Sequence, residues 1–342
     1  MAFTPERLVI ARERRGLSRS RLATLAEVAE KSIRNYESGD DVPRASSVAA
    51  LADALKVPVE FFEGPPLEEL GEDAASFRAA TKLPAYRRKA ALAAGSFAML
   101  FAEYIAAEFE LPSVRIPDME GADPEMASDA VRGAWGLGSG PAPNLVNLLE
   151  SKGVFVFALA EDCRELDAYS FWRWDRPFVA LNTMKSAERS RLDAAHEFAH
   201  LVLHRNLPVI GKEQEEEAQR FGSTFLMPRG AILASGARGA SLSQVLRQKA
   251  QWRVSATSYV RRLHQLGLLS DWQYRSLMIE LTKRGYRSGE PDGMSREVSP
   301  LIQSVLSDLR SEGVGLPKLA RKLGLSVDDL RSLVLGLAPV SM

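Results

Sequence analysis

Short helical segments fill the first part of the chain. Apolar residues recur there at helical spacing in four segments, and two of these end at Gly16 and Gly39, because glycine readily terminates a helix. Gly64-Pro65-Pro66 then interrupts the pattern, since consecutive prolines cannot continue a helix. Residues 1–63 are therefore predicted to form a compact all-helical domain.

A second group of helices is predicted beyond this boundary. Residues 77–81 and 86–109 show helical patterns, and the longer segment is apolar on nearly every face, which indicates a helix buried between other elements. Its length also suits a membrane span, but Glu103, Gly95 and the acidic residues that follow favour a protein interior. We predict a helical connector over residues 64–123 and no membrane association.

Runs of β-branched and aromatic residues follow in the middle of the chain. Each of them predicts one strand of a small sheet, and together they cover residues 153–159, 168–172 and 177–181. Helical patterns occupy most of the remaining chain, with a polar break at residues 288–293. The predicted fold class is mainly α with an α+β core, in which the sheet belongs to a domain over residues 124–285 and residues 286–342 form a small helical domain.

Composition restricts the classes of protein to consider. A chain of 342 residues is too long for one hydrophobic core, which predicts several domains. The 44 basic and 44 acidic residues balance, so any nucleic-acid surface must arise from local patterning. Cys163 is the sole cysteine, which excludes an internal disulfide and a cysteine-rich zinc site and suits a reducing cytoplasm. The first residues show no signal-peptide pattern.

The clearest chemical signal lies in the helical stretch 191–204. The sequence His196-Glu-Phe-Ala-His200 has the H-E-x-x-H pattern, and positions four apart share a helix face, so both imidazoles can reach one metal ion. Glu197 follows the first histidine and is the candidate general base. The alternatives are a helix with two solvent-facing histidines and a metal site that stabilises the fold without catalysis.

A catalytic zinc ion usually has three protein ligands, so a third ligand is expected. His204 lies two turns beyond His196, about 12 Å along the helix axis, which is too far to share one ion with both other histidines. In the next helical segment Glu215 is in line with the buried stripe, and Glu217 is a weaker second choice. Asp193, one turn before His196, is a candidate for orienting an imidazole, or equally a helix N-terminal charge.

A resemblance to a known DNA-binding domain lies between Leu17 and Gly39 and is clearest at the end, Ile33-Arg-Asn-Tyr-Glu-Ser-Gly39. This segment resembles the helix-turn-helix domain of XRE-type, lambda-repressor-like regulators. Five arginines in residues 12–21 form a local cluster of positive charge, although the net charge of the whole chain is zero. In such a domain the third helix enters the major groove of double-stranded DNA. The resemblance implies base-edge contacts by Glu30, Lys31 and Arg34 and phosphate contacts by Arg19 and Ser32.

Two residues depart from the usual helix-turn-helix pattern. Glu27 stands where glycine is typical, and Ala29 stands where a capping serine is common. The alternative interpretation is a helical bundle for dimerisation or protein contact, with its arginines as a solvated face. A single domain of this kind reads half of a symmetric operator, so specific DNA binding implies a homodimer.

Several stretches within residues 125–285 resemble the ImmA/IrrE family of zinc metallopeptidases, and a helix-turn-helix domain in front matches the fused architecture of part of that family. The stretches are residues 140–146 with Leu149-Glu150, 167–170, 176–182, 196–200 and 215–228. The resemblance implies a gluzincin-like site in which His196, His200 and Glu215 bind Zn2+ and Glu197 acts as the base. Mn2+ suits the same donor set. Ala199 and Gln219 replace the family's common glycine and asparagine at positions that touch no expected ligand.

These features lead to the hypothesis of a cytoplasmic, DNA-associated zinc peptidase that cleaves a regulatory protein. The resemblance implies a repressor or antitoxin-like substrate and a role in stress, mobile-element or toxin–antitoxin regulation. The alternative is a transcriptional regulator or antitoxin whose zinc domain senses or scaffolds without cleaving, and self-cleavage near residues 64–66 is a third hypothesis. The strand at 177–181 is a candidate edge for an extended substrate, and candidate oxyanion donors are Tyr169, His204 and Arg205.

Overall fold

The computed structural model describes residues 3–71, 83–159, 165–207, 211–286 and 289–339. The helix predicted at residues 77–81 and the thiol of Cys163 lie outside these residues. Within them the chain is mainly helical and contains one three-stranded sheet. The fold class predicted from the sequence is therefore confirmed.

The N-terminal residues form a bundle of short helices. Ser18 caps the second helix by accepting a hydrogen bond from the backbone N–H of Arg21, and Gly39 ends the third helix with a φ of 77°. The fully buried side chains of Leu8, Ile33 and Leu51 form the centre of the bundle. The helices are α1 (Pro5–Arg14), α2 (Arg19–Leu25), α3 (Glu30–Ser38) and α4 (Ala45–Leu55), followed by a short 3-10 helix (Val59–Glu63).

The connector contains one long apolar helix, α5 (Ala85–Glu108). It is long and apolar enough to cross a membrane, but 72% of its most apolar window is buried inside the protein. It packs against α1 on the N-terminal side, and the rings of its Phe101 and of Phe155 in the sheet form a T-shaped contact with 6.2 Å between their centroids. These contacts account for a helix that is apolar on nearly every face.

The sheet follows two helices, α6 (Pro124–Ala134) and α7 (Leu145–Ser151). Its strands are β1 (Phe155–Ala158), β2 (Ala168–Arg173) and β3 (Arg176–Leu181), in the order β1-β3-β2. β3 pairs with β1 in parallel and with β2 in antiparallel orientation, so it is the central strand. The prediction that the strand at 177–181 offers an edge to a substrate is therefore wrong, because both of its edges already form hydrogen bonds within the sheet.

Two helices, α8 (Ala187–Leu203) and α9 (Lys212–Leu226), pack against each other beside the sheet. α8 contacts β2 and β3 and also packs along α9. The two helices approach closely at Gly222, where an added Cβ would lie 3.1 Å from the carbonyl carbon of Ala195 and from the backbone nitrogen of His196. A larger residue at this position would separate the helices.

The remaining helices wrap around this core. Asp329, on the last helix of the chain, accepts hydrogen bonds of 2.7 Å from both terminal nitrogens of Arg15, at the end of α1. The same helix also packs against α5 and β1, so it lies between the N-terminal bundle and the sheet. These helices are α10 (Arg229–Ala234), α11 (Leu242–Trp252), α12 (Ala256–Gln265), α13 (Asp271–Lys283), α14 (Pro300–Ser311), α15 (Leu316–Leu323) and α16 (Val327–Val334).

Candidate metal centre

Two imidazoles meet on the inner face of α8. Ser186 caps this helix by accepting a hydrogen bond from the backbone N–H of Arg189. Beyond the first turn, most residues of the helix are buried. His196 and His200 are one turn apart, and their Nε2 atoms lie 3.1 Å from each other. Both side chains are almost completely buried. The interpretation of the motif as solvent-facing histidines is therefore wrong.

Glu215, in the first turn of α9, faces this pair of histidines. Its Oε2 lies 3.3 Å from Nε2 of His196, and its Oε1 lies 3.5 Å from Nε2 of His200. Ligand atoms about 2.0–2.1 Å from a tetrahedral zinc ion are separated by roughly 3.3 Å. Because the three distances bracket this value, the donor set fits such an ion in both chemistry and spacing.

The electrostatics of Glu215 also suit a ligand. Burial raises the pKa of this carboxyl, but the favourable interactions with the nearby rings of His196 and His200 outweigh burial and hold the pKa well below its usual range. Glu215 is thus an ionised carboxylate at neutral pH, which is the form that binds a metal. Among the residues that the structure describes, these three form the one group with metal-ligand spacing.

Glu197, the candidate base, is held by a residue that the sequence analysis did not single out. The hydroxyl of Ser170 on β2 donates a hydrogen bond of 2.8 Å to Oε2 of Glu197 and lies 3.2 Å from its backbone oxygen. Alternation along β2 places Ser170 on the face that meets α8, where Trp172 donates to the backbone oxygen of Leu201. A polar residue on the buried face of an otherwise apolar strand was the signal available in the sequence.

The three candidate oxyanion donors are engaged elsewhere. Tyr169 lies on the opposite face of β2 from Ser170, and its hydroxyl donates to the backbone oxygen of Ala91 at 2.8 Å. Arg205 stacks over the ring of Trp172 at 3.9 Å and pairs with Asp175 at 2.9 Å. His204 uses both of its ring nitrogens in contacts with His200 and Glu217.

His204 lies beside the metal group without joining it. Its Nδ1 is 2.9 Å from Nδ1 of His200, and its Nε2 is 2.9 Å from Oε2 of Glu217. Burial lowers the pKa of His204, although the hydrogen bond with Glu217 works in the opposite direction. Glu217, the second choice for the third ligand, thus faces His204. Only Glu215 of these two glutamates faces His196 and His200.

Asp193 is also buried on α8, one turn before His196. Its carboxylate pairs with Arg189 at 3.3 Å, four residues earlier on the same helix. Its role in orienting an imidazole stays a prediction.

Two family models match the chain. Residues 149–264 match an IrrE N-terminal-like domain of a peptidase family, and residues 6–61 match a helix-turn-helix domain. The protein joins a helix-turn-helix domain to an IrrE N-terminal-like domain. This finding confirms the fusion that the sequence predicted. No curated protein and no solved structure matches the chain.

The IrrE N-terminal-like match contains the whole sheet, α8 and α9. It therefore includes the three candidate ligands and Glu197. The domain boundaries at residues 63, 123 and 285 stay predictions, although both matched segments fall inside the predicted ranges. The match assigns the region to a peptidase family, and the roles of its individual residues are proposals.

The helix-turn-helix domain presents one exposed surface along α3. Glu30, Lys31 and Arg34 are exposed on this helix and Ser32 is half-buried, so all four are placed where a DNA groove could meet them. Arg19, at the start of α2, forms an ion pair of 2.5 Å with Glu37, and this interaction raises the pKa of the arginine. A phosphate would have to compete with Glu37 for Arg19. The individual DNA contacts stay predictions.

Proposed function

We propose that this protein is a DNA-associated zinc metallopeptidase that cleaves a regulatory protein and thereby switches transcription. The observation that supports the proposal is the group of two imidazoles and one carboxylate beside Glu197, inside a domain of a peptidase family. Three protein ligands leave one coordination position open, which is the arrangement of catalytic rather than structural zinc sites.

His196, His200 and Glu215 would hold the ion. When bound, zinc supplies Lewis-acid chemistry, because it polarises a peptide carbonyl and lowers the pKa of a nearby water molecule. Mn2+ would fit the same residues. Burial of both imidazoles keeps bulk water away from the donors and strengthens their electrostatic interaction with a cation.

Glu197 would act as the general base and acid. Its carboxylate would take a proton from the attacking water and pass that proton to the amine that leaves. Ser170 would fix the orientation of this carboxylate through the hydrogen bond to Oε2. Because Ser170 belongs to the sheet, the position of the base depends on the packing of β2 against α8.

The helix-turn-helix domain would bring this chemistry to DNA. The resemblance to ImmA/IrrE proteins supports a repressor or antitoxin-like substrate. Binding to a symmetric operator would require a homodimer. The helix-turn-helix domain and the single cysteine of the chain support a cytoplasmic location.

Replacing Glu197 by Gln tests the mechanism. The Glu197→Gln variant should bind zinc as tightly as the wild type but lose cleavage by at least about a hundredfold, because the proton acceptor is gone while the ligands remain. Cleavage is measured by mass spectrometry on purified proteins encoded beside the gene of this protein.

A matched control is Glu216→Gln, which changes an exposed glutamate on α9 and should leave both properties intact. Surviving cleavage in Glu197→Gln would contradict the assigned role of Glu197. A wild-type protein that binds zinc and DNA but cleaves none of these candidates would favour the alternative of a sensor or scaffold.

A further inference from the structure

His204 occupies the middle of a row of three side chains that starts at the candidate metal ligand His200. Nδ1 of His200 faces Nδ1 of His204 at 2.9 Å, and Nε2 of His204 faces Oε2 of Glu217 at 2.9 Å. All three side chains are buried or mostly buried: the side chains of His204 and Glu217 are 2% and 29% exposed. The hydrogen bond between the two imidazoles is therefore shielded from water, whereas Glu217 is partly exposed.

The chemistry of Glu217 determines which atom donates and which atom accepts in each of these hydrogen bonds. An ionised glutamate carboxylate can only accept hydrogen bonds, so Nε2 of His204 must carry a proton and donate it to Glu217. A neutral imidazole has one N–H, so Nδ1 of His204 then accepts, and the donor must be Nδ1–H of His200. Glu217 thus determines which nitrogen of His200 carries the proton.

The resulting tautomer is the one that metal binding requires. With its proton on Nδ1, His200 presents the lone pair of Nε2, and this atom faces His196 and Glu215. The opposite tautomer would place a proton on Nε2, directly against the position of the ion. We infer that His204 and Glu217 are positioning residues, which fix the tautomer and ring orientation of His200 and so raise the affinity of the centre for its metal.

His204 and Glu217 belong to the same two segments that supply the candidate metal ligands. His204 follows the last residue of α8, where the chain leaves the helix with a φ of −129°, and its side chain reaches toward α9. Glu217 lies on α9, two residues after Glu215. One helix therefore supplies both a ligand and the group that orients another ligand. This inference rests on the proposed metal site.

Zinc affinity of the full-length protein is the readout, measured by competition with a chelator of known affinity at pH 7. His204→Phe keeps a ring of similar size without hydrogen bonds, and Glu217→Ala removes the terminal acceptor. Each variant should bind zinc about 10- to 100-fold more weakly, the loss typical of groups that orient metal-binding histidines. The double variant should lose no more than His204→Phe alone, because Glu217 acts through His204.

Glu216→Ala is the matched control, since Glu216 is a neighbouring glutamate on α9 whose side chain is 67% exposed and pairs with Lys212. It should retain wild-type affinity. Circular dichroism of the metal-free proteins checks folding, and if His204→Phe fails to fold, the partly exposed Glu217→Ala decides the question.

Wild-type affinity in both folded variants would overturn the inference and leave the metal site intact. A wild-type protein that binds no zinc would overturn the proposed centre as well, so the two failures are distinguishable.

Discussion

Glu27 adopts a backbone conformation that side chains other than glycine rarely take. It lies in the turn between α2 and α3 with a φ of 53°. An L-residue in this left-handed region has a higher free energy than glycine by about 1 kcal/mol, because its Cβ crowds the backbone. The turn between α2 and α3 of the helix-turn-helix domain is thus strained in this protein.

Glu27→Gly should stabilise the helix-turn-helix domain by up to about 1 kcal/mol, since relief of the strain is partly offset by the greater freedom of glycine in the unfolded chain. Hydrogen exchange of the α3 backbone amides measures the change. Ser38→Gly, at an ordinary helical position, should instead destabilise the domain. Slower exchange in the control than in Glu27→Gly would contradict the assignment of strain.

Glu150, at the end of α7, is a buried carboxyl at the contact with α14. Burial raises its pKa to about 7, although hydrogen bonds from Ser299 and from the backbone N–H of Leu301 lower it. The folded protein therefore binds this proton more tightly than the unfolded chain does. Stability from Glu150 is present below its unfolded pKa of roughly 4.3 and is lost as the pH rises to about 7.

Glu150→Gln should remove this pH dependence. Gln stays neutral, its carbonyl oxygen can still accept from the backbone N–H of Leu301, and its NH2 group can donate to the hydroxyl oxygen of Ser299. The variant should therefore gain about 3 kcal/mol relative to the wild type between pH 4.5 and pH 8. Urea unfolding at a series of pH values gives the difference. A constant difference across that range would show that Glu150 has an ordinary pKa.

At the scale of the elements, the spacing of α8 and α9 determines the distances between the candidate metal ligands. His196 and His200 belong to one helix and Glu215 to the other, so a shift of either helix changes the distances between donors. Gly222 sets this spacing by allowing the backbone of α8 to approach.

Gly222→Ala should weaken zinc binding by about tenfold or more and destabilise the protein by about 1–3 kcal/mol, because the new methyl group meets backbone atoms that cannot rotate away. Chelator competition and thermal unfolding measure the two effects. Gly133→Ala is the matched control, since Gly133 also lies in a helix but an added Cβ there meets nothing within 4 Å. Equal behaviour of the two variants would refute the role of Gly222.

Much of this arrangement could be predicted from local sequence patterns. The three strands, the helix with both histidines and the helical phase of Glu215 follow from periodicity, which reports the buried face of each element. The order of the strands could not be predicted in this way, because pairing partners depend on long-range packing. Ser170 was missed for the same reason, since its partner Glu197 lies 27 residues away.

At the scale of the whole molecule, α16 links the N-terminal bundle to the remainder of the protein. Asp329 is buried and pairs with Arg15, while Arg14 lies 3.7 Å away. Opposite charge is required here, because an arginine left near the interior without a partner is costly.

Asp329→Ala should lower the free energy of unfolding by about 2–4 kcal/mol, since it removes the buried carboxylate that pairs with Arg15 and lies beside Arg14. The neighbouring Asp328→Ala provides the control, because that side chain is 89% exposed and its pair with Arg331 should contribute less than about 1 kcal/mol. Urea unfolding monitored by circular dichroism compares them. Similar losses in both variants would contradict the importance of the buried bridge.

The ion pair between Arg15 and Asp329 also affects the order in which parts of the protein can fold during synthesis. The two residues are 314 positions apart in the chain. At a synthesis rate of about 5–20 residues per second, Arg15 is made roughly 15 to 60 seconds before its partner. The helix-turn-helix domain therefore leaves the ribosome and folds well before α16 exists. During this interval a nascent protein exposes the surface that α16 covers later, and the positive charges of Arg14 and Arg15 on that surface oppose its aggregation.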